Sequence, residues 1–214
     1  MKSFDANALS ILLFKGSAVP LDFRTNPPAP ILYARERMEH LVKDLSQKGE
    51  KILIPDPSLS EFLVTAVFAG ASIQDYLAII QKAQHFITRP FGVRAAVETA
   101  ERLATALKSG DKREGEKTEP WQKLKYDRQI VAISLVEGAA ELYTADKDVY
   151  NQALRWDIKP VHLADLPVPP EQLKLLDIAK STSSKPSEPP KTERPEPPKA
   201  EPPKTHSPKK KDAK

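Results

Sequence analysis

The chain has 214 residues, with 33 Lys and Arg against 29 Asp and Glu, a formal net charge of +4, and no Cys. This length predicts one good-sized domain with a tail rather than two domains. The absence of Cys excludes disulfides and thiolate metal sites, so any metal ion would need oxygen or imidazole ligands.

Neither a membrane span nor a secretory signal is expected. No apolar stretch approaches the roughly 18 uninterrupted residues that a membrane helix needs. The short apolar run near the N-terminus is interrupted by Asp5 and Asn7, and no small-residue cleavage pattern follows it. We therefore expect a soluble, cytoplasmic protein without a membrane partner.

Positive charge is concentrated in residues 180–214. Nine Lys and one Arg there oppose four Glu and one Asp, which gives +5 and leaves −1 for residues 1–179. The segment contains no Val, Leu, Ile, Met, Phe, Tyr or Trp, and it repeats Glu-Pro-Pro-Lys three times. This composition predicts a mostly disordered tail, which would serve either as a solubilising extension or as a basic arm that contacts phosphates or a partner.

Residues 1–179 alternate strand-like and helix-like patterns. In chain order, the first half is predicted as a strand at 1–4, a helix at 8–14, a proline-rich loop at 16–30, a helix at 31–47, a strand at 51–54, a helix from Ser58, a short helix around 76–80 and a strand at 85–88. The second half is predicted as an amphipathic helix at 93–107, a flexible loop at 109–122, a buried helix at 128–138, a strand at 141–144, a helix at 147–156 and a strand at 159–162. Such alternation is typical of an α/β fold with a parallel sheet.

Four acidic residues stand at boundaries between these predicted elements. Each has an ordinary explanation as a helix cap: Asp5 follows the first strand, and Asp146 precedes the helix at 147–156. Glu61 closes the pattern Ser58-x-x-Glu61, which is a capping box, and Asp127 precedes the predicted buried helix.

Taken together, the four acids indicate a ligand site. The carboxyl edge of a parallel sheet is where α/β folds bind ligands, and several carboxylates gathered there repel each other unless a cation binds. Oxygen ligands without Cys or clustered His favour Mg²⁺ or Mn²⁺ over Zn²⁺. Carboxylate-held Mg²⁺ typically engages phosphates, so a phosphodiester is the substrate class that this pattern favours.

Four stretches of the chain resemble the PIN-domain family, and more narrowly the VapC-type ribonuclease toxins. They are Phe4-Asp5-Ala6-Asn7, the ten residues 54–63 (Ile-Pro-Asp-Pro-Ser-Leu-Ser-Glu-Phe-Leu), the seven residues 127–133 (Asp-Arg-Gln-Ile-Val-Ala-Ile), and the six residues 143–148 (Tyr-Thr-Ala-Asp-Lys-Asp). They occur in the family's order, and the resemblance extends from Phe4 to about Pro169.

The resemblance implies a three-layer domain in which helices flank a central parallel sheet, with a Mg²⁺- or Mn²⁺-dependent ribonuclease site. The residues that it implies as catalytic and metal-binding are Asp5, Glu61, Asp127 and Asp146, with Asp148 as an accessory ligand and Asn7 and Thr144 as supporting residues. The chain departs from the family at Ala145, where many relatives have a polar or acidic residue, and in its Lys- and Pro-rich tail. The number of metal ions therefore stays open.

The function expected on these grounds is an endoribonuclease, as the toxin of a type II toxin–antitoxin pair. Its expected partners are RNA, a small antitoxin protein and, as an open alternative, a second copy of the chain in a homodimer. Lys123, Lys125 and Arg128 flank Asp127 and are candidates for contacts with RNA phosphates, or else form a solvated helix start. Two other functions remain open: a nucleic-acid-binding or scaffold protein with a vestigial site, and another phosphatase or nuclease on a similar sheet.

Overall fold

Strands and helices alternate along the computed structural model, which describes residues 1–111, 113–114, 120–170 and 172. The strands are β1 (Lys2–Phe4), β2 (Leu21–Asp22), β3 (Ala29–Pro30), β4 (Ile52–Pro55), β5 (Phe86–Arg89), β6 (Glu141–Thr144) and β7 (Lys159–His162). The helices are α1 (Ala6–Leu13), α2 (Ala34–Gln47), α3 (Asp56–Phe68), α4 (Ile73–Lys82), α5 (Val93–Lys108), α6 (Trp121–Val136) and α7 (Lys147–Arg155).

Five of the strands form one parallel sheet in the order β5-β4-β1-β6-β7. The central strand β1 pairs on both sides, with Ser3 opposite Leu53 of β4 and opposite Leu142 of β6. The predicted α/β fold with a parallel sheet is confirmed. The segment 16–30, predicted as a loop, also contains the short antiparallel pair of β2 and β3.

Helices cover both faces of the sheet because neighbouring side chains of a strand point to opposite faces. In β4, Ile52 and Ile54 belong to one apolar core, whereas Leu53 between them belongs to another. The first core takes buried residues from α1, α2, α3 and α4, and the second takes them from α5, α6 and α7. The central sheet is therefore packed between two layers of helices.

The direction of the connections reverses beside β1. After β1 the chain continues to β4 and β5 on one side, and it later returns to β6 and β7 on the other side. In parallel α/β sheets, ligands bind outside the carboxyl ends of the strands at such a reversal. The start of α1, which follows β1, and the start of α7, which follows β6, both lie at this place.

Four helices begin earlier than the sequence patterns predict: α1 at Ala6 rather than at 8, α4 at Ile73 rather than near 76, and also α3 and α6. Helix α3 begins at Asp56 with Pro57 in its first turn, a position that suits Pro because its missing N–H is not needed there. Ser58 therefore lies inside the helix, and the predicted capping box with Glu61 does not form. Helix α6 begins at Trp121 rather than at 128, and it is anchored by Leu124, which is fully buried.

The chain divides into a unit Met1–Leu176 and a unit Asp177–Lys214, and every described residue belongs to the first. The predicted domain boundary near residue 179 and the predicted disordered tail at 180–214 lie outside the described residues. Within the part of the chain that the structure describes, no helix is both long enough and apolar enough to cross a membrane.

Candidate active site

Asp5 joins the end of the central strand to the start of α1. Its Oδ1 accepts a hydrogen bond from the N–H of Ala8 at 2.7 Å, so the predicted role as a helix cap is confirmed. The hydroxyl of Thr144 donates to its Oδ2. Asp5 is only 1% exposed, and this burial raises the pKa of its carboxyl to about 8.

Asp146 caps α7 beside it, as predicted. Its Oδ1 accepts hydrogen bonds from the N–H groups of Asp148 at 2.7 Å and Val149 at 3.3 Å. The Asp146 N–H in turn donates to the hydroxyl oxygen of Thr144 at 2.8 Å. Since the same hydroxyl donates to Asp5, the fully buried Thr144 side chain links the ends of β1 and β6 and fixes the two acids beside each other.

Asp127 lies in the interior of α6, seven positions into the helix counted from Trp121. The predicted explanation as a cap is therefore wrong for this residue. The side chain is almost completely buried, and no hydrogen bond to its Oδ2 is found among the described residues. Burial raises the pKa of this carboxyl to about 7, with the Lys123 ammonium opposing the shift and the charges of Asp146 and Asp148 adding to it.

Glu61 projects from the second turn of α3 and is the exposed member of the four. Partial burial of its carboxyl raises its pKa, and the charge of Asp146 adds to this shift while Lys123 lowers it. Each of these charges acts on Glu61 because the helices α3, α6 and α7 meet at the same end of the sheet. The Glu61 side chain does not cap α3; it lines the cleft.

The four acids line one cleft of about 370 Å³. Asn7, Lys123 and the exposed ring of Tyr126 also line it. Asn7 is exposed on the first turn of α1, at the cleft surface. The structure thus brings together residues that lie as far apart in the sequence as Asp5 and Asp146.

The ammonium of Lys123 lies among three of the carboxylates. Its Nζ is 3.4 Å from Asp146 Oδ2 and 4.0 Å from Asp127 Oδ2, and it is bonded to Asp148 Oδ2. Burial lowers the pKa of Lys123, but the hydrogen bond to Asp148 and the surrounding negative charges outweigh it and raise the pKa. Lys123 is therefore the counter-charge of the cluster.

Arg128 and Lys125, the other two candidates for contacts with RNA phosphates, do not line the cleft. Arg128 is 1% exposed, and its guanidinium pairs with the carboxylate of Glu114 at 2.8 Å. Glu114 also accepts a hydrogen bond from the indole of Trp156 at 3.0 Å, so Arg128 belongs to a buried polar cluster and is not presented to the cleft. Lys125 is exposed, with its Nζ 5.6 Å from the centre of the Trp121 ring.

The chemistry of the cluster suits a hard divalent cation. All of its donors are carboxylate oxygens, and Asp127 Oδ2 is a buried oxygen that lacks a hydrogen bond. The Lys123 ammonium shows that positive charge is accommodated among these acids. In the arrangement of the described residues, however, no three acidic or histidine side chains converge closely enough to ligate one ion. Binding a metal ion would therefore require the carboxylates to move.

Two features of the cleft were not predicted from the sequence. One is the set of contacts that Lys123 makes with the acids; its spacing of four residues from Asp127 on one helix is the signal that could have indicated it. The other is Tyr126, which is 55% exposed at the cleft beside the buried Asp127. Nothing in the residue pattern distinguishes this aromatic side chain from one in the core.

Neither a protein-family model nor a curated protein matches the sequence at a significant level.

Proposed function

We propose that the chain is a metal-dependent endoribonuclease with a PIN-like domain, similar to the VapC-type toxins. The observation that carries the proposal is the convergence of Asp5, Glu61, Asp127 and Asp146 on one cleft at the reversal point of the parallel sheet. Capping accounts for Asp5 and Asp146. Capping does not account for Asp127, which is buried in the interior of α6, and we propose that a ligand is the reason for its position.

Asp127 gives the strongest support. An ionised carboxylate that is buried without a hydrogen bond destabilises the fold, by several kcal/mol in the least favourable cases. The domain keeps the Asp127 carboxyl in the middle of α6, where its Oδ2 is buried without a hydrogen bond and lies 4.0 Å from the Lys123 ammonium. A cation bound by this oxygen would offset that cost, so we assign Asp127 to metal binding.

The remaining acids would complete the metal site. Asp5 and Asp146 offer the lone pairs that their capping bonds leave free, and Glu61 extends from α3. Asp148, which we propose as an accessory ligand, is bonded to the Lys123 ammonium, so a metal ion on Asp148 would have to displace that ammonium. Thr144 orients Asp5 and Asp146 through its shared hydroxyl. Bound Mg²⁺ or Mn²⁺ would activate a water and stabilise the charge that develops on the phosphate and the leaving oxygen.

RNA would reach the cleft from the side of Asn7 and Tyr126. The Tyr126 ring is accessible for stacking with an unpaired base, a contact common in the recognition of single-stranded RNA. Lys125 projects from the same turn of α6 and is accessible to a phosphate outside the cleft. These positions favour a single-stranded or looped substrate over a regular duplex.

The biological role that we propose is the toxin of a type II toxin–antitoxin pair. A small antitoxin protein would inhibit the enzyme by covering the acidic cleft. Consistent with a protein partner, an apolar groove of about 660 Å³ adjoins the cleft and shares Ser60 and Val64 with it. Phe68, which is 95% exposed, lies in this groove.

The test is incubation of the purified protein with structured and unstructured RNAs. Cleavage is expected in Mg²⁺ or Mn²⁺, preferentially in unpaired segments, and it should stop in EDTA and return when the metal is restored. The products are to be separated on denaturing gels. Cleavage that persists in EDTA after the protein has been stripped of metal would contradict a metal-dependent nuclease.

A nucleic-acid-binding or scaffold protein with a vestigial site is the second candidate. The observation that favours it is that no three acidic or histidine side chains among the described residues are arranged to ligate one metal ion. The same RNAs distinguish the two functions. A binding protein would retard RNA in a native gel, with or without EDTA, and would leave it uncut.

A further inference from the structure

Lys123 occupies part of the carboxylate cluster that a metal ion would use. The side chain extends from the first turn of α6 to the first turn of α7, where it contacts Asp148 and lies 3.4 Å from Asp146. Asp127, on the same helix as Lys123, completes the group at 4.0 Å. Three carboxylates from two helices thus surround one ammonium, and 36% of the lysine side chain is exposed.

A divalent ion cannot share these oxygens with the ammonium. Mg²⁺ is held at about 2.1 Å from its oxygen ligands, so an ion on Asp146 and Asp148 would lie within roughly 5 Å of the present Nζ position. Two cations at that distance repel by several kcal/mol at the dielectric constant that is effective near a protein surface. Metal binding on this side of the cleft therefore requires the lysine to leave.

Two acids of the cleft, Asp5 and Glu61, are not among the carboxylates that lie within 4.0 Å of the Lys123 ammonium. Asp5 is held by Thr144 and by the N–H of Ala8, and Glu61 is an exposed side chain on α3. Asp127 also lines the cleft; its Oδ2 is buried without a hydrogen bond and lies 4.0 Å from the ammonium, so an ion bound by Asp127 would have to lie on the side away from Lys123. In addition, position 145 is Ala, which offers no ligand next to Asp146.

We infer that Lys123 acts as a tethered cation in place of a second metal ion, so that the cleft binds one divalent ion, on the side of Asp5 and Glu61. The inference rests on the proposed metal-dependent function and specifies its metal stoichiometry. It also makes Lys123 a positioning residue, because its ammonium holds Asp146, the N-cap of α7, and Asp148, in the first turn of α7, against α6. Loss of the ammonium should open the second cation position.

The experiment is calorimetric titration of the full-length, EDTA-stripped protein with Mn²⁺ alone at low ionic strength. The wild type is expected to bind one ion. Lys123→Met and the more polar Lys123→Gln should bind two ions, or bind the first at least ~10-fold more tightly, since a repelling charge has been removed. Two neutral variants are used so that a folding defect in one leaves the other to be measured.

Two further variants separate the effect of charge from that of position. Lys123→Arg keeps the positive charge and should still bind one ion. Lys82→Met removes the same charge from an exposed position of α4 outside the cleft lining, and should leave stoichiometry and affinity unchanged. Circular-dichroism melting of each apo variant verifies that it is folded.

The outcomes distinguish the inference from the proposed function. The inference and the proposed function are both supported if the wild type binds one ion and Lys123→Met binds two ions, or binds its first ion much more tightly. One ion bound with equal affinity in the wild type and both neutral variants, or two ions already in the wild type, overturns the inference and leaves the metal site standing. If neither the wild type nor any variant binds Mn²⁺, both are overturned.

Discussion

Asp127→Asn is expected to reduce metal-dependent RNA cleavage at least ~100-fold, which corresponds to ~2.7 kcal/mol of transition-state stabilisation. The change is nearly isosteric and removes one buried negative charge from the cleft. The same substitution should make the apo protein more stable at pH 8, by roughly 1 kcal/mol or more, because an uncharged amide is less costly to bury than a carboxylate. Cleavage rates and urea unfolding in EDTA provide the two measurements.

The combination of lost activity and gained stability is diagnostic. If Asp127 were a structural residue, its substitution would lower activity and stability together. Asp75→Asn is the matched control, because Asp75 is an exposed acid in the first turn of α4 and is not among the residues that line the cleft. It should change neither quantity appreciably. Undiminished cleavage by Asp127→Asn would place the active site elsewhere.

The apo protein is expected to become less stable as the pH rises from about 5 to about 8. The pKa of Asp5 is raised by burial from 3.8 to about 8, so the folded state keeps a proton that the unfolded chain releases. The stability that this proton contributes is fully present below the unfolded pKa and is lost as the pH passes through the folded one. The slope is at most about 1.4 kcal/mol per pH unit for one proton, and Asp127 adds to it up to about pH 7.

Urea unfolding in EDTA at a series of pH values measures this slope. Glu141 does not titrate in this pH window, although it is partly buried. Hydrogen bonds from Lys159, Tyr143 and Lys2 lower its pKa to about 2, so its contribution to stability changes only at lower pH. In Asp5→Asn the slope should become shallower, because one buried carboxyl that takes up a proton in the folded state is gone. Burial lowers the pKa values of His85 and His162, so these groups act in the opposite direction, and they do so equally in the wild type and the variant. A slope that is the same in the wild type and in Asp5→Asn would show that this carboxyl is not buried as described.

The strands were largely predictable because short apolar runs are local features. The runs at 141–144 and 159–162 coincide with β6 and β7, and the other strands of the main sheet differ by a residue at their ends. The helix starts were harder to predict. At α3, the pattern of Ser58 and Glu61 resembles a capping box, yet Pro57 in the first turn and the buried side chain of Ser58 show that the helix begins at Asp56.

Helix α6 shows the effect of tertiary contacts. Residues 121 and 122 end the polar segment predicted as a loop, and the sequence pattern assigns residues 123–127 to no element. Burial of Leu124 against the domain makes this segment helical, and the consequence is that Asp127 moves from a helix boundary to a helix interior. A sequence pattern contains no information about such a contact.

The amphipathic stripe of α5 illustrates the same limit. Its periodicity predicts the helix correctly, but several of its apolar members face outward, among them Val93, which is 81% exposed. The side that packs on the core includes Ala95 instead. Periodicity identifies an apolar face without identifying the surface that covers it.

For the site, the order of strands and acids along the chain was sufficient to predict which carboxylates meet. Asp5 and Asp146 follow strands that turn out to be neighbours, and any parallel arrangement of β1 and β6 brings them together. The contacts of Lys123 and the burial of Arg128 depend on where side chains of α6 point around the helix. The sequence placed all three basic residues near Asp127 and could not distinguish the cleft from the core.

The measurement that tests the central claim most directly is the melting temperature of the EDTA-stripped protein with and without saturating Mn²⁺. Ligand at 100 times its Kd stabilises a protein by ~2.7 kcal/mol, so the melting temperature of the wild type should rise by roughly 5 °C or more. Asp127→Asn should start from a higher apo value and gain much less. A wild type that melts at the same temperature with and without Mn²⁺ would contradict a metal site in this cleft.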